Sequence, residues 1–158
     1  FIDAFKNDNR FELNFIGKGA NELTQYCTNN NVTNVKLIDV FPPDQTLEHY
    51  MNCDIIFNAY GNGTPLLNYA LSNKLYYSAM LYIPIIVTPK TYMAEIVKEN
   101  ELGFEISYSG QTADCLYNRF LSFDRNSFIK RCDQFIKSIE TDNSTFDCII
   151  SKLFEERS

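Results

Sequence analysis

The chain has 158 residues, 45% of them hydrophobic, so its length fits one ordinary α/β domain with a full core. The formal net charge of −6 argues against a nucleic-acid partner, because sequence-independent binding to nucleic acid needs a basic face. No apolar run approaches the ~20 residues that cross a bilayer, so we expect no transmembrane segment.

The opening letters "FIDAF" indicate the end of a helix already under way, without an initiating Met or a signal segment. We therefore expect the chain to begin at a fragment boundary. Its five cysteines, at positions 27, 53, 115, 132 and 148, show no C-x-x-C spacing. This pattern predicts reduced, mostly buried thiols in a cytoplasmic protein.

The first third of the chain predicts two strands with helices after them. Residues 11–16 alternate apolar and polar side chains and end at Gly17-Lys18-Gly19, which is typical of a strand entering a glycine-rich turn. A helix over about 20–30 and a strand over 35–40 follow. Asp44 is then predicted to cap a short helix that continues to about residue 52.

The middle of the chain predicts two more apolar strands, 54–59 and 84–88, separated by a loop and by a helix over 73–82 that Ser72 caps. A helix over 91–100 and a strand over 103–107 follow, and the remainder is helical. Alternating strands and helices predict one three-layer, doubly wound parallel sheet of Rossmann-like type. We expect a single domain over 1–158 that ends in C-terminal helices over 124–158.

In such sheets, ligands bind at the carboxyl ends of the strands. Gly17-x-Gly19 and the helix start at Ser72-Asn73-Lys74 are therefore candidate anion sites, since free N–H groups and a lysine suit a diphosphate. Each also has an ordinary interpretation, a tight turn or a capped helix with a solvated lysine. The only histidine, His49, is predicted to lie on the surface, and no cluster of residues has metal-ligand spacing.

Four segments, in their order, resemble the C-terminal domain of group 1 glycosyltransferases with the GT-B fold: "FELNFIGKGANEL", "NVKLIDVFPP", "LEHYMNCDIIFNAYGN" and "LSNKLYYSAMLYIPIIVT". The resemblance covers roughly residues 1–107. The most specific piece is "SNKLYYSAMLYIPII", which is similar to the family's usual "SNKLFEYLAAGKPVI".

The resemblance implies a domain that binds a UDP-sugar or GDP-sugar and needs no other cofactor and no metal. The implied nucleotide-sugar-binding residues are Gly17, Lys18, Gly19, Val40, Phe41, Tyr60, Ser72, Asn73, Lys74 and Tyr77. Tyr77 is a departure, because the family commonly has a ribose-binding Glu there and a phenol is no carboxylate. The family's first strand and its second paired Glu also have no counterpart in this chain.

The resemblance further implies a hexosyltransferase-type enzyme that transfers sugar to an acceptor hydroxyl, in surface polysaccharide synthesis. A sugar or lipid-linked acceptor would bind through an N-terminal domain that this chain lacks, so no catalytic residue is expected here. The full-length protein would be cytoplasmic and could touch the inner membrane face through that missing half.

Two alternatives stay open. Asp39 follows Gly19 by twenty residues, where an acidic residue would meet a ribose in an NAD(P)-binding module of an oxidoreductase. Against this, the third glycine of that fingerprint is replaced by Glu22. The other alternative is a degenerate, non-catalytic α/β interaction domain.

Overall fold

The structure is a computed structural model that describes residues 1–108 and 111–155, the last three of them by backbone alone. The chain divides into two compact units. The first comprises Phe1–Asp54 and Glu105–Phe123, and the second comprises Ile55–Phe104 and Asp124–Ser158. Strands and helices alternate within both units, and the strands pair in parallel, which confirms the α/β class.

Two parallel strands form the centre of the first unit. Strand β1 (Leu13–Ile16) pairs with β2 (Val35–Ile38) in a register that sets Leu13 opposite Val35. The crossover between them is a 3₁₀ helix, Ala20–Leu23, which continues directly into helix α2 (Thr24–Asn29). The predicted strand–helix–strand order is confirmed, with both strands shorter than expected.

Three more α-helices belong to the first unit: α1 (Ile2–Phe5), α3 (Thr46–Met51) and α7 (Thr112–Leu121). The predicted cap at Asp44 is wrong. A 3₁₀ helix over Pro43–Gln45 precedes α3, and its cap position is Pro42, with no side-chain hydrogen bond. Pro43 takes the first helical position, which suits proline because its φ is fixed and it has no N–H to satisfy. Asp44 is therefore the second residue of this helix and not its cap.

An arginine joins the start of β1 to α7. Arg10 donates to Asp8 at 2.6 Å and to Asp114 at 2.7 Å, and its guanidinium lies 4.9 Å from the ring centre of Tyr117. The hydrogen bond from Arg10 holds the pKa of Asp8 below its ordinary value. This planar, two-sided contact uses the forked donor geometry of a guanidinium.

A fully buried strand forms the centre of the second unit. Strand β4 (Ile85–Val87) lies between β3 (Ile56–Asn58) and β5 (Gly103–Glu105) and pairs in parallel with β3. Its three side chains are at most 3% exposed, as its apolar run predicts for a strand covered on both faces. The strands expected in one sheet are thus paired as two in the first unit and three in the second.

Helices α5 (Asn73–Leu81) and α6 (Tyr92–Glu99) make the crossovers of this sheet. The end of α5 is fixed to the start of β4, because the Ser78 hydroxyl donates to the Ile83 carbonyl at 2.6 Å. Tyr82, in the left-handed conformation, ends the helix there.

Helix α4 (Pro65–Tyr69) lies in a segment that the sequence analysis treats as a loop. The missed signal is Thr64-Pro65: the threonine side chain accepts the Leu67 N–H, and proline takes the first helical position.

One long helix, α8 (Arg125–Glu155), replaces the several C-terminal helices predicted for 124–158. Residues 156–158 of that prediction lie outside the described residues. Phe128, Cys132 and Phe135 on α8 are buried, and the Phe135 ring stacks on Tyr76 of α5 with a centroid distance of 6.4 Å. Among the described residues, the helices are all too short or too polar to span a membrane.

The five cysteines form no disulfide, as expected, but the prediction that they are mostly buried is wrong. Cys132 is buried, Cys27 and Cys53 are half-buried, and Cys115 and Cys148 are exposed. Burial raises the pKa of the Cys132 thiol to about 12. A thiol packed among apolar side chains behaves as a small hydrophobic group with little reactivity.

Gly103→Ala should destabilise the protein, because a Cβ at this position would overlap the Ile85 carbonyl oxygen and lie 2.7 Å from the Ile85 nitrogen. Backbone must shift to relieve that overlap, so we expect a loss of about 3 kcal/mol in the free energy of unfolding, measured by urea titration. Lys98→Ala, on the exposed side of α6, is the control and should change little. A loss no larger than that of the control would contradict the close strand contact.

Native protein treated with N-ethylmaleimide at pH 8 should be labelled at Cys115 and Cys148 and not at Cys132. Because burial raises the pKa of Cys132 to about 12, its thiol stays protonated at that pH, and burial blocks the reagent as well. Peptide mass spectrometry of native and urea-unfolded samples measures this difference. Labelling of Cys132 at the rate of Cys115 in native protein would disprove its burial.

Candidate functional site

The residues predicted to bind a nucleotide sugar fall into two groups. The first unit contains Gly17, Lys18, Gly19, Val40 and Phe41, and the second contains Tyr60, Ser72, Asn73, Lys74 and Tyr77.

The glycine-rich turn needs both of its glycines. Gly17 has φ +138° and Gly19 has φ +93°, conformations that residues with a side chain rarely adopt. Lys18 between them is exposed. The turn opens into a short 3₁₀ helix rather than directly into an α-helix, so the row of aligned amide dipoles expected behind it is weak.

A carboxylate already occupies this turn. The Gly19 N–H donates to Asp39 Oδ1 at 2.6 Å, which spans the two parallel strands at their carboxyl ends. An amide used in this way is not available to a phosphate, and the negative charge of Asp39 opposes an approaching anion. Asp39 is also the residue that would bind a ribose in an NAD(P)-binding module, and its Oδ1 is already used by the Gly19 N–H.

The loop after β2 presents one exposed and one packed side chain. Val40 is 78% exposed, whereas the Phe41 ring packs edge-on against His49, with ring centres 4.6 Å apart. His49 is half-buried, so the surface position predicted for it is wrong. The prediction failed because α3 turns this face of its short helix towards Phe41. Its Nε2 atom is buried without a hydrogen-bond partner among the described residues.

In the second unit, the predicted start of α5 is confirmed. The Ser72 side chain accepts the Lys74 N–H at 3.2 Å, as a helix cap does, and Asn73 is exposed at the first helical position. Nine residues of helix follow, so the N–H groups and the positive end of the dipole point out of this end. Tyr77 lies half-buried one turn further along.

Lys74 folds back to the carboxyl end of β3. Its Nζ donates to the Phe57 carbonyl at 2.9 Å and to the Tyr60 hydroxyl at 2.5 Å. Both acceptors are neutral. Among the described residues no carboxylate forms an ion pair with this ammonium, so its charge is left uncompensated. The Lys74 ammonium is thus held at the carboxyl end of β3, beside the start of α5. The sequence predicts this lysine as a point charge near a diphosphate.

A cavity of about 130 Å³ lies beside this cluster. It is bounded by Ser72 and Tyr60, and by apolar side chains of α4 and of the residues after it. Asn58, the last residue of β3, and Thr88 and Thr91, which follow β4, complete its lining. Asn58 Oδ1 is buried and accepts no hydrogen bond from the described residues. A buried acceptor without a donor is costly, so this atom is suited to a ligand that brings a hydroxyl or N–H group.

Asn58, Thr88 and Thr91 are site residues that the sequence does not predict. Their only signal is position, since Asn58 and Thr88 end or follow apolar strands where ligands bind in parallel sheets. Thr88 is partly used within the fold, because its hydroxyl accepts the Gly61 N–H at 2.9 Å and so shapes the loop after β3. Glycine fits there because φ at Gly61 is +99°.

Comparisons with protein-family models and with curated proteins find no match to this chain. Within the part of the chain that the structure describes, no three His, Cys, Asp or Glu side chains lie close enough together to hold a metal ion.

Asp39→Ala should destabilise the protein by about 1–2 kcal/mol, because it removes a charge-assisted hydrogen bond from a half-buried amide. Asp39→Asn keeps an acceptor oxygen and should cost less. Urea unfolding measures both, with Asp44→Ala, an exposed residue near the same strand end, as the control. If Asp39→Ala unfolds at the same urea concentration as the control, the carboxylate does not close the glycine turn.

Proposed function

We propose that this chain is the donor-binding half of a glycosyltransferase and holds the diphosphate of a nucleotide sugar at the start of α5. The observation that carries the proposal is the Ser72–Lys74 helix start, with an ammonium beside it that no carboxylate among the described residues neutralises. The resemblance of "SNKLYYSAMLYIPII" to the glycosyltransferase family supports the same segment. The GT-B architecture, with a three-layer Rossmann-like sheet, is part of this proposal.

The chemistry of the helix start suits a diphosphate. The first N–H groups of a helix lack partners within it and carry partial positive charge, so they attract an anion. Lys74 adds a full charge on the same side, and its present acceptors, a carbonyl and a phenol, are weaker partners than a phosphate oxygen. A ligand phosphate can therefore replace the Tyr60 hydroxyl as the acceptor from Lys74, and no salt bridge to a carboxylate has to break.

The adjoining cavity suits the sugar. Its volume of about 130 Å³ is far more than the roughly 10–15 Å³ that one water needs. Asn58 Oδ1 would accept a hydroxyl from the sugar, while the leucines near α4 would cover its apolar face. The glycine turn, closed by Asp39, has no part in diphosphate binding on this proposal, which differs from the role that the resemblance implies for Gly17 and Gly19.

In the transfer reaction, the bond between the anomeric carbon and the diphosphate oxygen breaks, and the acceptor oxygen bonds to that carbon. Negative charge then grows on the leaving diphosphate, where the helix start and Lys74 stabilise it. The acceptor, and the base that takes its proton, belong to the other half of the enzyme. On this proposal the full-length protein acts in the cytoplasm, in surface polysaccharide synthesis.

Calorimetric titration of the chain with UDP, GDP and NADH tests the proposal. We expect UDP or GDP to bind weakly and NADH not to bind. Lys74→Met should lower the nucleotide affinity about tenfold, equivalent to about 1.4 kcal/mol, while the exposed-site control Lys98→Met should leave it unchanged. Tyr60→Phe removes one acceptor from the ammonium and should keep or raise the affinity.

Thermal unfolding of the same variants separates lost binding from lost folding. Binding of NADH alone would favour the dinucleotide module instead, and equal affinities for Lys74→Met and Lys98→Met would remove Lys74 from the site. Absence of binding by all three ligands in a folded sample would favour an interaction domain that has lost its ligand.

A further inference from the structure

The second half of α8 presents an apolar face that the described residues leave largely uncovered. The helix has 31 residues and is therefore about 46 Å long. Its first half is anchored: Phe128 and Cys132 are fully buried, and Tyr82 of α5 donates to Asp133 at 2.8 Å. Beyond residue 139 the pattern changes, and every residue from 140 to 149 is exposed.

Apolar residues continue along the exposed half at the spacing of a coiled coil. We call the residues concerned the α8 stripe: Ile136, Ile139, Asn143, Phe146 and Ile150. Their separations of three, four, three and four residues match the a and d positions of two heptads. Counting back in the same register gives Cys132, which is buried, whereas Asn143 and Phe146 on the same face are exposed and Ile136, Ile139 and Ile150 are half-buried. Phe146 is 62% exposed.

The flanks of the stripe select its partner by charge. Glu140 and Asp147 occupy e positions and Asp142 occupies a g position, so each edge carries acidic charge and no basic residue beside the exposed half, and the next g position is the apolar Ile149. Two parallel copies would set Asp142 opposite Asp147, and two antiparallel copies would set like edges together. Like charges in these positions repel, whereas lysine or arginine there would attract. A second copy of this chain is therefore disfavoured, and a basic helix is favoured.

Two further features fit a helix as the occupant. Asn143 is a polar residue at a single a position, which in coiled coils fixes register by pairing with an amide on the facing helix. A groove of about 410 Å³ adjoins the anchored end of the stripe, where Met80, 60% exposed, lies beside Ile136 and Glu140. The groove extends the apolar surface from α8 to Met80 of α5, and the Asp133 carboxylate also lines it.

We propose that the α8 stripe docks an amphipathic helix of a partner protein whose flanking positions carry lysine or arginine. The contact is a two-helix coiled coil about two heptads long, with the apolar residues interlocked and the acidic edges paired to basic ones. It is separate from the diphosphate site, since it uses α8 and not the start of α5.

Two fluorescent 21-residue peptides provide the test on the 158-residue chain. Both carry Ile and Leu at a and d and one Asn at the central a position; one has Lys at every e and g position, and the other has Glu. Anisotropy titration should show one Lys peptide bound per chain, with at least tenfold weaker binding in high salt and with Phe146→Ser. The Glu peptide should not bind.

Charge reversal sharpens the result. The double variant with Asp142→Lys and Asp147→Lys should no longer bind the Lys peptide and should bind the Glu peptide. The control Ser144→Lys adds a positive charge outside the stripe and should still bind the Lys peptide in preference to the Glu peptide. Equal binding of both peptides, or binding of neither to the folded chain, would overturn the proposal. Sedimentation should show a monomer; a dimer that Phe146→Ser dissociates would mark a second copy as the occupant instead.

Discussion

The close approach of Gly103 to Ile85 is the constraint on which the second unit depends. Glycine at the start of β5 lets its backbone lie against β4 at a distance that a Cβ would prevent. Strand β4 is thereby enclosed between its neighbours, and its apolar side chains are almost fully removed from water. Burial of this kind is the main stabilising contribution in a small domain.

The position of the candidate site follows from that core. Leu75 and Ala79, on the inner face of α5, are completely buried, and Ser78 bonds the helix end to the chain that enters β4. With its inner face and its far end fixed, α5 must begin beside the carboxyl end of β3. That geometry brings Lys74 to the carbonyl of Phe57.

The glycine turn at 17–19 and the start of α5 are both predicted from the sequence as anion sites, but they differ in their electrostatics. At the glycine turn, the one amide aimed across the strand ends is already bound to a carboxylate. At the start of α5, the side-chain cap is a neutral serine and the nearby charge is a lysine whose partners are neutral. These charges disfavour an anion at the glycine turn and favour one at the start of α5.

Features that depend on a few adjacent residues could be predicted from the sequence, whereas features that depend on distant residues could not. The run around Ile85–Val87 and the Ser72 cap are each contained in a few adjacent residues, so they could be found from the sequence. The Thr64-Pro65 start of α4 was also local but was overlooked. The bond from Gly19 to Asp39 joins residues twenty positions apart, and the unpaired Asn58 oxygen depends on what surrounds it. Neither leaves a pattern in the chain.

An amide-resolved NMR titration of the chain with UDP and with GDP decides whether the start of α5 binds a diphosphate. We expect one of the two nucleotides to shift the amide signals of Ser72, Asn73 and Lys74 and the side-chain amide of Asn58, while the Gly19 signal stays unchanged because Asp39 holds that amide. Shifts confined to Gly17 and Gly19, with none at the start of α5, would contradict this expectation.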